Sequence, residues 1–181
     1  IFFAIKGNKF NGEKYIKKAV EKGASVVVCS KNCKFEDKKI VLIRTQNVRF
    51  LLSEISSKFY RSKPSNIFAV TGTNGKTSVA DLFYQILVLN NKKVASIGTL
   101  GVKFNKKIIS SNLTSPDIIS LHEILEKIKK RGIDNVILEA SSHGLHQKRI
   151  DKINFKAGIF TNFSQDHLDY HKTMNSYLKS K

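Results

Sequence analysis

The sequence is poor in the residues that mark several large classes of protein. It has only two prolines and ten glycines among 181 residues, which excludes a collagen-like chain and argues against a disordered one. No run approaches the roughly 20 apolar residues that cross a bilayer, and the start, Ile1-Phe2-Phe3-Ala4-Ile5, lacks the basic leader of a secretory signal. We therefore expect a soluble, cytoplasmic protein without membrane insertion.

Cysteine is also scarce. Cys29 and Cys33 form a single C-x3-C pair, and neither a second pair nor a nearby histidine is present to complete a zinc site. Reduced, unpaired thiols in the cytosol are the expectation for such a pair. We assign no chemistry to them.

Acidic residues are few, 14 against 32 basic ones, which gives a net charge of +18. Such a charge raises the question of a nucleic-acid partner. However, 27 of the basic residues are lysines and only 5 are arginines, and the lysines are scattered along the chain. This distribution predicts a solvated basic surface that favours small anionic substrates, with no nucleic-acid partner.

The remaining composition is that of a folded protein, with 41% hydrophobic and 25% charged residues. The length suits one domain, or one small domain plus part of another. The first residue is not methionine and Lys181 ends a helix-like stretch. We therefore expect a fragment cut at both ends.

Strand and helix patterns alternate along the chain. The first part has short apolar runs at residues 1–5, 25–29 and 40–44, with helical spacing of apolar residues over 12–22 and 48–59. The stretch Arg61-Ser62-Lys63-Pro64-Ser65 then breaks the pattern. We predict a domain boundary here, which gives a first domain of residues 1–63 and a second of residues 64–181.

The second domain repeats the alternation of strands and helices. Strands are predicted at 67–71 and 94–98, a hairpin at 100–110, and buried parallel strands at 135–140 and 157–161. Helices are predicted over 76–89 and from the capping residue Asp117 to Gly132. This order predicts a doubly wound α/β domain with a mostly parallel sheet.

One loop between a strand and a helix is the most informative stretch. An apolar strand ending at Val70 and Thr71 leads into Gly72-Thr73-Asn74-Gly75-Lys76-Thr77-Ser78, where the next helix begins. Glycines let backbone N–H groups surround an anion, the lysine supplies charge to phosphates, and the threonine hydroxyl is suited to magnesium. Val70 stands where the usual motif has glycine, so we predict a variant phosphate-binding loop.

Two later strands end in polar groups that should reach the same edge of the sheet. The first delivers Glu139, and the second leads into a segment that contains His167. Glu139 is suited to one magnesium ion and His167 to another. The simpler alternatives are that Glu139 caps a helix or pairs with a cation, and that His167 caps the helix that follows it.

Three motifs in this order resemble those of the Mur ligases. They are T-G-T-N-G-K-T at 71–77, E-A-S-S-H-G-L at 139–145 and T-N-F-S-Q-D-H-L-D-Y-H at 161–171. Phe2-Phe3-Ala4-Ile5-Lys6-Gly7 also resembles the start of that family's N-terminal domain. The closest resemblance is to the members that add the third amino acid of the peptidoglycan stem.

The resemblance implies an ATP-dependent ligation. ATP would phosphorylate the D-glutamate carboxylate of UDP-MurNAc-L-Ala-D-Glu, and the amine of a diamino acid would then attack the acyl phosphate. The implied architecture is a partial UDP-sugar-binding α/β domain followed by a truncated P-loop domain, without the C-terminal amino-acid-binding domain. We therefore expect the fragment alone to be inactive, and the protein to be a monomer that uses ATP and Mg²⁺.

Site roles carried over from the family fall on named residues. Lys76, Glu139, His167 and Lys181 would be catalytic, and Thr77, Glu139 and His167 would hold magnesium, with Lys181 joining them if carbamylated. The residues at positions that hold the muramoyl-peptide or the UDP-sugar are Asn8, Lys9, Phe10, Thr114, Ser115, Ser141, Gln147 and Arg149. Ser115 replaces a threonine often seen in the family and keeps the hydroxyl.

The sequence leaves two alternatives. One is another member of the same superfamily, such as a ligase for a different stem residue or a folylpolyglutamate synthetase. The other is a nucleic-acid-stimulated P-loop ATPase, to which the positive charge would point. The choice between lysine and meso-diaminopimelate as the added amino acid is not readable from this sequence.

Overall fold

The computed structural model describes residues 1–7, 10–104, 107–109 and 114–181. Contacts divide the chain into two units, Ile1–Leu52 and Ser53–Lys181. The helix α2 (Val48–Phe59) spans this division. The predicted domain boundary after Lys63 stays a prediction.

The first unit is built around a small parallel sheet. Its strands are β1 (Phe2–Phe3), β2 (Val26–Ser30) and β3 (Val41–Thr45), in the order β1-β2-β3. A 3₁₀ turn (Gly12–Tyr15) precedes α1 (Ile16–Glu21), so the α-helix is shorter than the predicted stretch of residues 12–22. Ile16 packs against Val27 in the core of this unit.

Both cysteines lie in that core. Cys29 and Cys33 are buried and not bonded to each other, as the sequence predicts. Burial, together with the hydrogen bond to Cys33, raises the pKa of Cys29 to about 11. The Cys29 thiol therefore stays protonated and unreactive at neutral pH.

The second unit contains a six-stranded sheet in the order β7-β6-β5-β8-β4-β9. The strands β5, β8, β4 and β9 run parallel to one another. The strand β6 is antiparallel to both of its neighbours, β5 and β7. Their bounds are β4 (Asn66–Thr71), β5 (Val94–Gly98), β6 (Gly101–Phe104), β7 (Lys107–Ile109), β8 (Asn135–Glu139) and β9 (Ala157–Phe160). The predicted hairpin is confirmed by the β6–β7 pairing, although its turn residues Asn105 and Lys106 lie outside the described residues.

Among the described residues of the second unit, five helices follow α2. They are α3 (Lys76–Leu89), α4 (Ile118–Lys130), α5 (Ser142–His146), α6 (Leu168–His171) and α7 (Met174–Lys179). The bounds of α3 agree with the prediction, and the Asp117 side chain caps α4 by accepting hydrogen bonds from the N–H groups of Ile119 and Ser120. The short helix α5 was not predicted, and Lys181 lies just after α7 rather than within a helix.

Helices cover both faces of the sheet because side chains alternate along each strand. Val136 and Leu138 of β8 pack in one cluster with Leu121 and Leu125 of α4. The intervening Ile137 packs in a different cluster with residues of α3. The predicted doubly wound arrangement is confirmed by this alternation.

One strand differs from the prediction. β8 is buried, as predicted, but β9 is mostly exposed because it lies at an edge of the sheet and pairs with β4 alone among the described strands. An apolar run of four residues does not distinguish a central strand from an edge strand.

Among the described residues, no helix is both long and apolar enough to span a membrane.

Candidate active site

The loop between β4 and α3 depends on two glycines with left-handed backbone angles. Gly72 has φ +143°, and a Cβ there would overlap the Thr161 hydroxyl. Gly75 is the N-cap residue of α3, with φ +82°. The backbone N–H groups of Lys76, Thr77 and Ser78 lie in the first turn of this helix. No earlier turn supplies carbonyl partners for them, so they are available to bind an anion.

The segment after β9 holds this loop in place. The Asn162 carbonyl accepts a hydrogen bond from the Thr73 N–H at 3.0 Å, and the Asn162 side chain accepts one from the Asn74 N–H at 2.9 Å and donates one to the Asn74 carbonyl at 3.2 Å. The Thr161 hydroxyl also donates to the Asn74 carbonyl, at 2.6 Å. Two of the loop N–H groups that the sequence assigned to phosphate are therefore bonded within the protein.

Two lysines share one carbonyl of the loop. Lys76 Nζ donates to the carbonyls of Gly72 and Thr73 at 2.8 and 2.7 Å, and Lys181 Nζ donates to the Gly72 carbonyl at 2.6 Å. Burial and the nearby Lys181 charge lower the pKa of Lys76, and burial lowers the pKa of Lys181 against the opposing effect of Asp166. Two partly buried cations beside one loop create a strong attraction for a polyanion.

A buried tyrosine supports both the loop and Lys181. Tyr177 of α7 is fully buried, and its hydroxyl lies 3.1 Å from the Thr73 hydroxyl. The Thr73 hydroxyl also contacts the carbonyl and N–H of Ser164. Lys181 Nζ lies 4.6 Å from the centre of the Tyr177 ring. This arrangement fixes α7 and its following residue against the loop.

Glu139, the last residue of β8, is buried, with only 2% of the residue exposed to solvent. It accepts hydrogen bonds from the Thr77 hydroxyl at 2.8 Å, the Thr99 N–H at 2.9 Å and the Thr99 hydroxyl at 3.1 Å. These donors are all neutral, so the structure favours neither the helix-cap nor the ion-pair alternative. In the described parts of the chain no cationic side chain bonds to this carboxylate, and its oxygens are suited to a hard cation.

His167 has an unusual backbone. It precedes α6 with φ +52°, a left-handed conformation that is uncommon for a residue other than glycine. The Asp166 carboxylate accepts a hydrogen bond from the His167 N–H at 2.7 Å, and its other oxygen lies 3.5 Å from Nε2. The imidazole makes no capping hydrogen bond to α6, so the capping alternative does not describe it.

The serines on the opposite side of the site bond to one another. Ser115 is buried, and its hydroxyl donates to the Glu139 carbonyl at 3.0 Å and lies 3.0 Å from the Ser141 hydroxyl. Ser141 in turn caps α5 by accepting a hydrogen bond from the Gly144 N–H. These hydroxyls therefore hold the loops on this side of the site together.

Arg149 is held in a fixed orientation. Its Nη1 donates to the Ser115 carbonyl at 2.9 Å, and its Nε and Nη2 donate to Gln147 Oε1 at 3.2 and 2.8 Å. The Gln147 amide also donates to the Tyr170 hydroxyl at 3.1 Å. These hydrogen bonds fix the plane of the guanidinium at the wall of the site, and a planar guanidinium can bind an anion through two parallel N–H groups.

The two sides of the site enclose one cavity of about 480 Å³. Most of the predicted site residues line it, namely Thr73, Asn74, Gly75, Lys76, Thr77, Ser78, Thr114, Ser115, Ser141, Arg149, His167 and Lys181. Gly72, Glu139 and Gln147 do not line it but contact residues that do. The structure therefore brings together side chains that are far apart in sequence.

Several residues at this site were missed in the sequence. Thr99, Ser142 and His143 line the cavity, and Asn162 and Tyr177 support it from behind. Thr99 directly follows a glycine at the carboxyl end of a parallel strand, which is the signal that could have found it. Asn162 lies in the third motif, but its contact with Asn74, like that of Tyr177 with Thr73, joins residues more than 85 apart, and the sequence alone does not predict such contacts.

Three predicted residues belong to the first unit. Phe10 is exposed there, whereas Asn8 and Lys9 lie outside the described residues. Their contact with a UDP-sugar stays a prediction. Among the described residues, no group of three or more His, Cys, Asp or Glu side chains forms a metal site by itself.

Both parts of the chain match a known protein family. The family model of the Mur ligase middle domain matches residues 70–181, and that of the Mur ligase family catalytic domain matches residues 1–60. The UDP-N-acetylmuramoyl-L-alanyl-D-glutamate–2,6-diaminopimelate ligase of Zymomonas mobilis is 44% identical over the whole chain, which spans 37% of that protein.

Solved structures agree with these matches. A structure of a UDP-N-acetylmuramoyl-L-alanyl-D-glutamate–2,6-diaminopimelate ligase superposes with a TM-score of 0.78 and 28% identity, over 93% of this chain and 34% of the other. The MurF ligase of Thermotoga maritima, solved in complex with ADP, shares the fold at a TM-score of 0.57 and 16% identity, over 98% of this chain and 38% of the other. The chain spans little more than a third of the length of these relatives. From the family-model matches, this chain belongs to the Mur ligase family.

Proposed function

We propose that the complete protein that carries this chain is an ATP-dependent ligase that adds 2,6-diaminopimelate to UDP-N-acetylmuramoyl-L-alanyl-D-glutamate in peptidoglycan synthesis. The observation that carries this proposal is the single cavity lined by Lys76, Thr77, Arg149, His167 and Lys181. The choice of diaminopimelate over lysine is supported by the name of the relative that is 44% identical.

The loop side of the cavity would hold the phosphates of ATP. The opening amides of α3 and the ammonium group of Lys76 supply positive potential at the point where the β and γ phosphates would lie. Lys76 would exchange its present bonds to the Gly72 and Thr73 carbonyls for bonds to phosphate oxygens. The rigid support from Asn162 and Tyr177 keeps this arrangement in place before the nucleotide binds.

The residues around Glu139 fit a magnesium ion. Thr77 and Glu139 present hard oxygen donors within 2.8 Å of each other, and the hydroxyl proton that Thr77 gives to the carboxylate leaves its own lone pairs available. His167 would serve a second ion, and Lys181 would join it if carbamylated. Bound magnesium supplies charge neutralisation on the phosphate oxygens.

The Arg149 side of the cavity would hold the muramoyl-peptide. The D-glutamate carboxylate oxygen would form a bond to the γ-phosphorus of ATP as the bond from that phosphorus to the ADP oxygen breaks. The amine of diaminopimelate would then form a bond to the acyl carbon, phosphate would leave with the electrons of the C–O bond, and the nitrogen would lose a proton. Arg149 is suited to fix an anionic part of this substrate.

Other parts of the proposal rest on the resemblance alone. They are the first domain of residues 1–63 as a UDP-sugar-binding domain, the carbamylation of Lys181, and the inactivity of residues 1–181 by themselves. Cytoplasmic location, a monomeric state and independence of nucleic acid likewise stay predictions.

Phosphate release by the complete protein tests the proposed function. Release should require ATP, magnesium, the UDP-muramoyl-dipeptide and diaminopimelate together, and added RNA or DNA should not change it. Lysine in place of diaminopimelate is the matched control for the choice of amino acid. Turnover that is stimulated by RNA in the absence of the sugar nucleotide would contradict the proposal.

A further inference from the structure

The carboxylate of Glu139 is held at both oxygens by one residue. Thr99 follows β5 directly, and its N–H donates to Oε1 while its hydroxyl donates to Oε2. The Thr77 hydroxyl is the other donor to Oε2. With Thr99 on one side and Thr77 on the other, the carboxylate plane has little freedom to rotate.

The neighbouring glycine makes this contact possible. Ile97 of β5 pairs with Leu138 of β8, so Gly98 lies beside Glu139. A Cβ at Gly98 would overlap the Glu139 carboxylate oxygen Oε1 and the carbon atoms Cδ and Cγ. The absence of a side chain at this residue therefore lets the carboxylate reach the backbone N–H of Thr99.

Thr99 also contacts the opposite side of the cavity. Its hydroxyl lies 3.1 Å from the Thr114 hydroxyl. The Thr99 hydroxyl has a single proton and donates it to Glu139, so the Thr114 hydroxyl donates to Thr99. A chain of two hydroxyls thus connects the substrate side of the cavity with the buried carboxylate.

We propose that Thr99 is a positioning residue that orients the Glu139 carboxylate toward a divalent cation. This inference rests on the proposed function, because it takes Glu139 as a magnesium ligand. Partners that orient a metal ligand affect the affinity for the metal without touching the metal itself. The hydroxyl of Thr99, rather than its bulk, carries this effect.

Manganese binding to the complete protein tests this role without turnover. Mn²⁺ is titrated in the presence of ADP, and the free ion is followed by electron paramagnetic resonance. Thr99→Val keeps the shape of the side chain and removes the hydroxyl, so it should weaken Mn²⁺ binding about tenfold. Thr99→Ser should restore binding to within about twofold of wild type, because it restores the donor.

Thr45→Val is the matched control. It removes a threonine hydroxyl of the first unit that accepts a hydrogen bond from the Asn47 N–H and does not line the cavity, so Mn²⁺ binding should not change. The affinity for ADP without metal should be unchanged in all three variants, since none of these residues belongs to the phosphate loop. If Thr99→Val does not fold, Thr99→Ala takes its place with the same expected loss.

Two results would overturn the inference. One is wild-type Mn²⁺ affinity in the variant that lacks the hydroxyl, and the other is a loss in Thr99→Ser as large as in Thr99→Val. Failure of the proposed function is a separate result, because it would appear as wild-type protein that does not bind Mn²⁺ in the presence of ADP.

Discussion

The two sides of the cavity are built in different ways. The side proposed to bind phosphate, called the phosphate side below, is one continuous stretch, Gly72–Ser78, whose glycines and helix start form it from the backbone. The side proposed to bind the muramoyl-peptide, called the substrate side, is assembled from separate segments that contribute Ser115, Ser141 and Arg149, which are held by side-chain hydrogen bonds. A local motif specifies the first side, whereas only the folded structure creates the second.

This difference has a consequence for mutations. On the phosphate side, one lysine supplies a full charge next to the backbone amides, so its removal should affect catalysis directly. On the substrate side, each group is oriented by neighbours that are themselves held in place, so the effect of a single change should be smaller and should appear in binding. The following predictions test this contrast.

The largest effect is expected for Lys76→Ala. Loss of the ammonium group removes stabilisation of the transferring phosphoryl group, so kcat should fall on the order of 10²–10³-fold or more. Steady-state phosphate release measures this change. The thermal unfolding of the variant should resemble that of wild type, because Lys76 bonds only to loop carbonyls among the contacts described.

Lys92→Ala is the matched control for this prediction. Lys92 is exposed beyond the end of α3, and its removal changes the net charge by the same amount. It should leave kcat unchanged. A near-normal rate for Lys76→Ala would contradict the assignment of the phosphate loop.

The second prediction concerns the scaffold that both sides share. His122 of α4 is fully buried, and burial together with the charge of Lys63 lowers its pKa from 6.5 to about 4, against a small opposing effect of the Asp151 backbone. Between pH 4 and pH 6.5, His122 is protonated in the unfolded chain but not in the folded one. The contribution of His122 to the free energy of unfolding is therefore complete above pH 6.5 and falls by up to about 3 kcal/mol as the pH drops toward 4.

Chemical unfolding at pH 7 and pH 4.5 measures this effect. His122→Leu should lose part of the acid sensitivity, whereas Leu125→Ala, a buried residue of the same helix, should destabilise equally at both pH values. Equal acid sensitivity in wild type and His122→Leu would show that other groups cause the pH dependence. The measurement also separates acid effects on the scaffold from those on either side of the cavity.

The sequence predicts the scaffold and the phosphate side well, for local reasons. Apolar spacing and the glycine loop predicted the bounds of α3 and β5, and Asp117 predicted the start of α4. Strand order and sheet edges depend on partners distant in sequence, so the predicted burial of β9 was wrong. The short helix α5 has too few residues for a periodic pattern.

The supporting residues of the site were beyond sequence reasoning for the same cause. Tyr177 and Asn162 are ordinary residues until the fold places them against the loop. Thr99 reaches Glu139, 40 residues later in the chain, only because Gly98 leaves room for the carboxylate. The sequence identified the motif that contains Asn162, but the supporting role of this residue follows from its contact with Asn74, which only the fold creates.

The third prediction concerns the substrate side. Arg149→Lys keeps the charge but loses the forked contacts to Gln147 and Ser115, so KM for the UDP-muramoyl-dipeptide should rise about 10–100-fold. KM for ATP should stay within about twofold, because the change spares the phosphate loop. Arg61→Lys, an exposed residue of the second unit, is the control. An equal rise in both KM values would contradict the separation of the two sides.

The smallest effect is expected for Asn162→Ala, which tests how rigidly the phosphate side must be held. The substitution removes the two side-chain hydrogen bonds to Asn74 but keeps the backbone bond to Thr73 and the Thr161 bond to the same carbonyl. Each hydrogen bond contributes about 1 kcal/mol net, but the bonds that remain at Thr73 and Asn74 keep part of the shape of the loop, so kcat/KM for ATP should fall by only about tenfold.

Asn90→Ala is the control for this loss, because Asn90 also donates a side-chain hydrogen bond to a carbonyl, that of Ile86, but at the far end of α3. It should lower stability slightly and leave kcat/KM unchanged. A wild-type rate in Asn162→Ala would mean that the glycine loop keeps its shape unaided. The phosphate side would then be specified by the motif alone, and its contrast with the assembled substrate side would be sharper than the hydrogen bonds suggest.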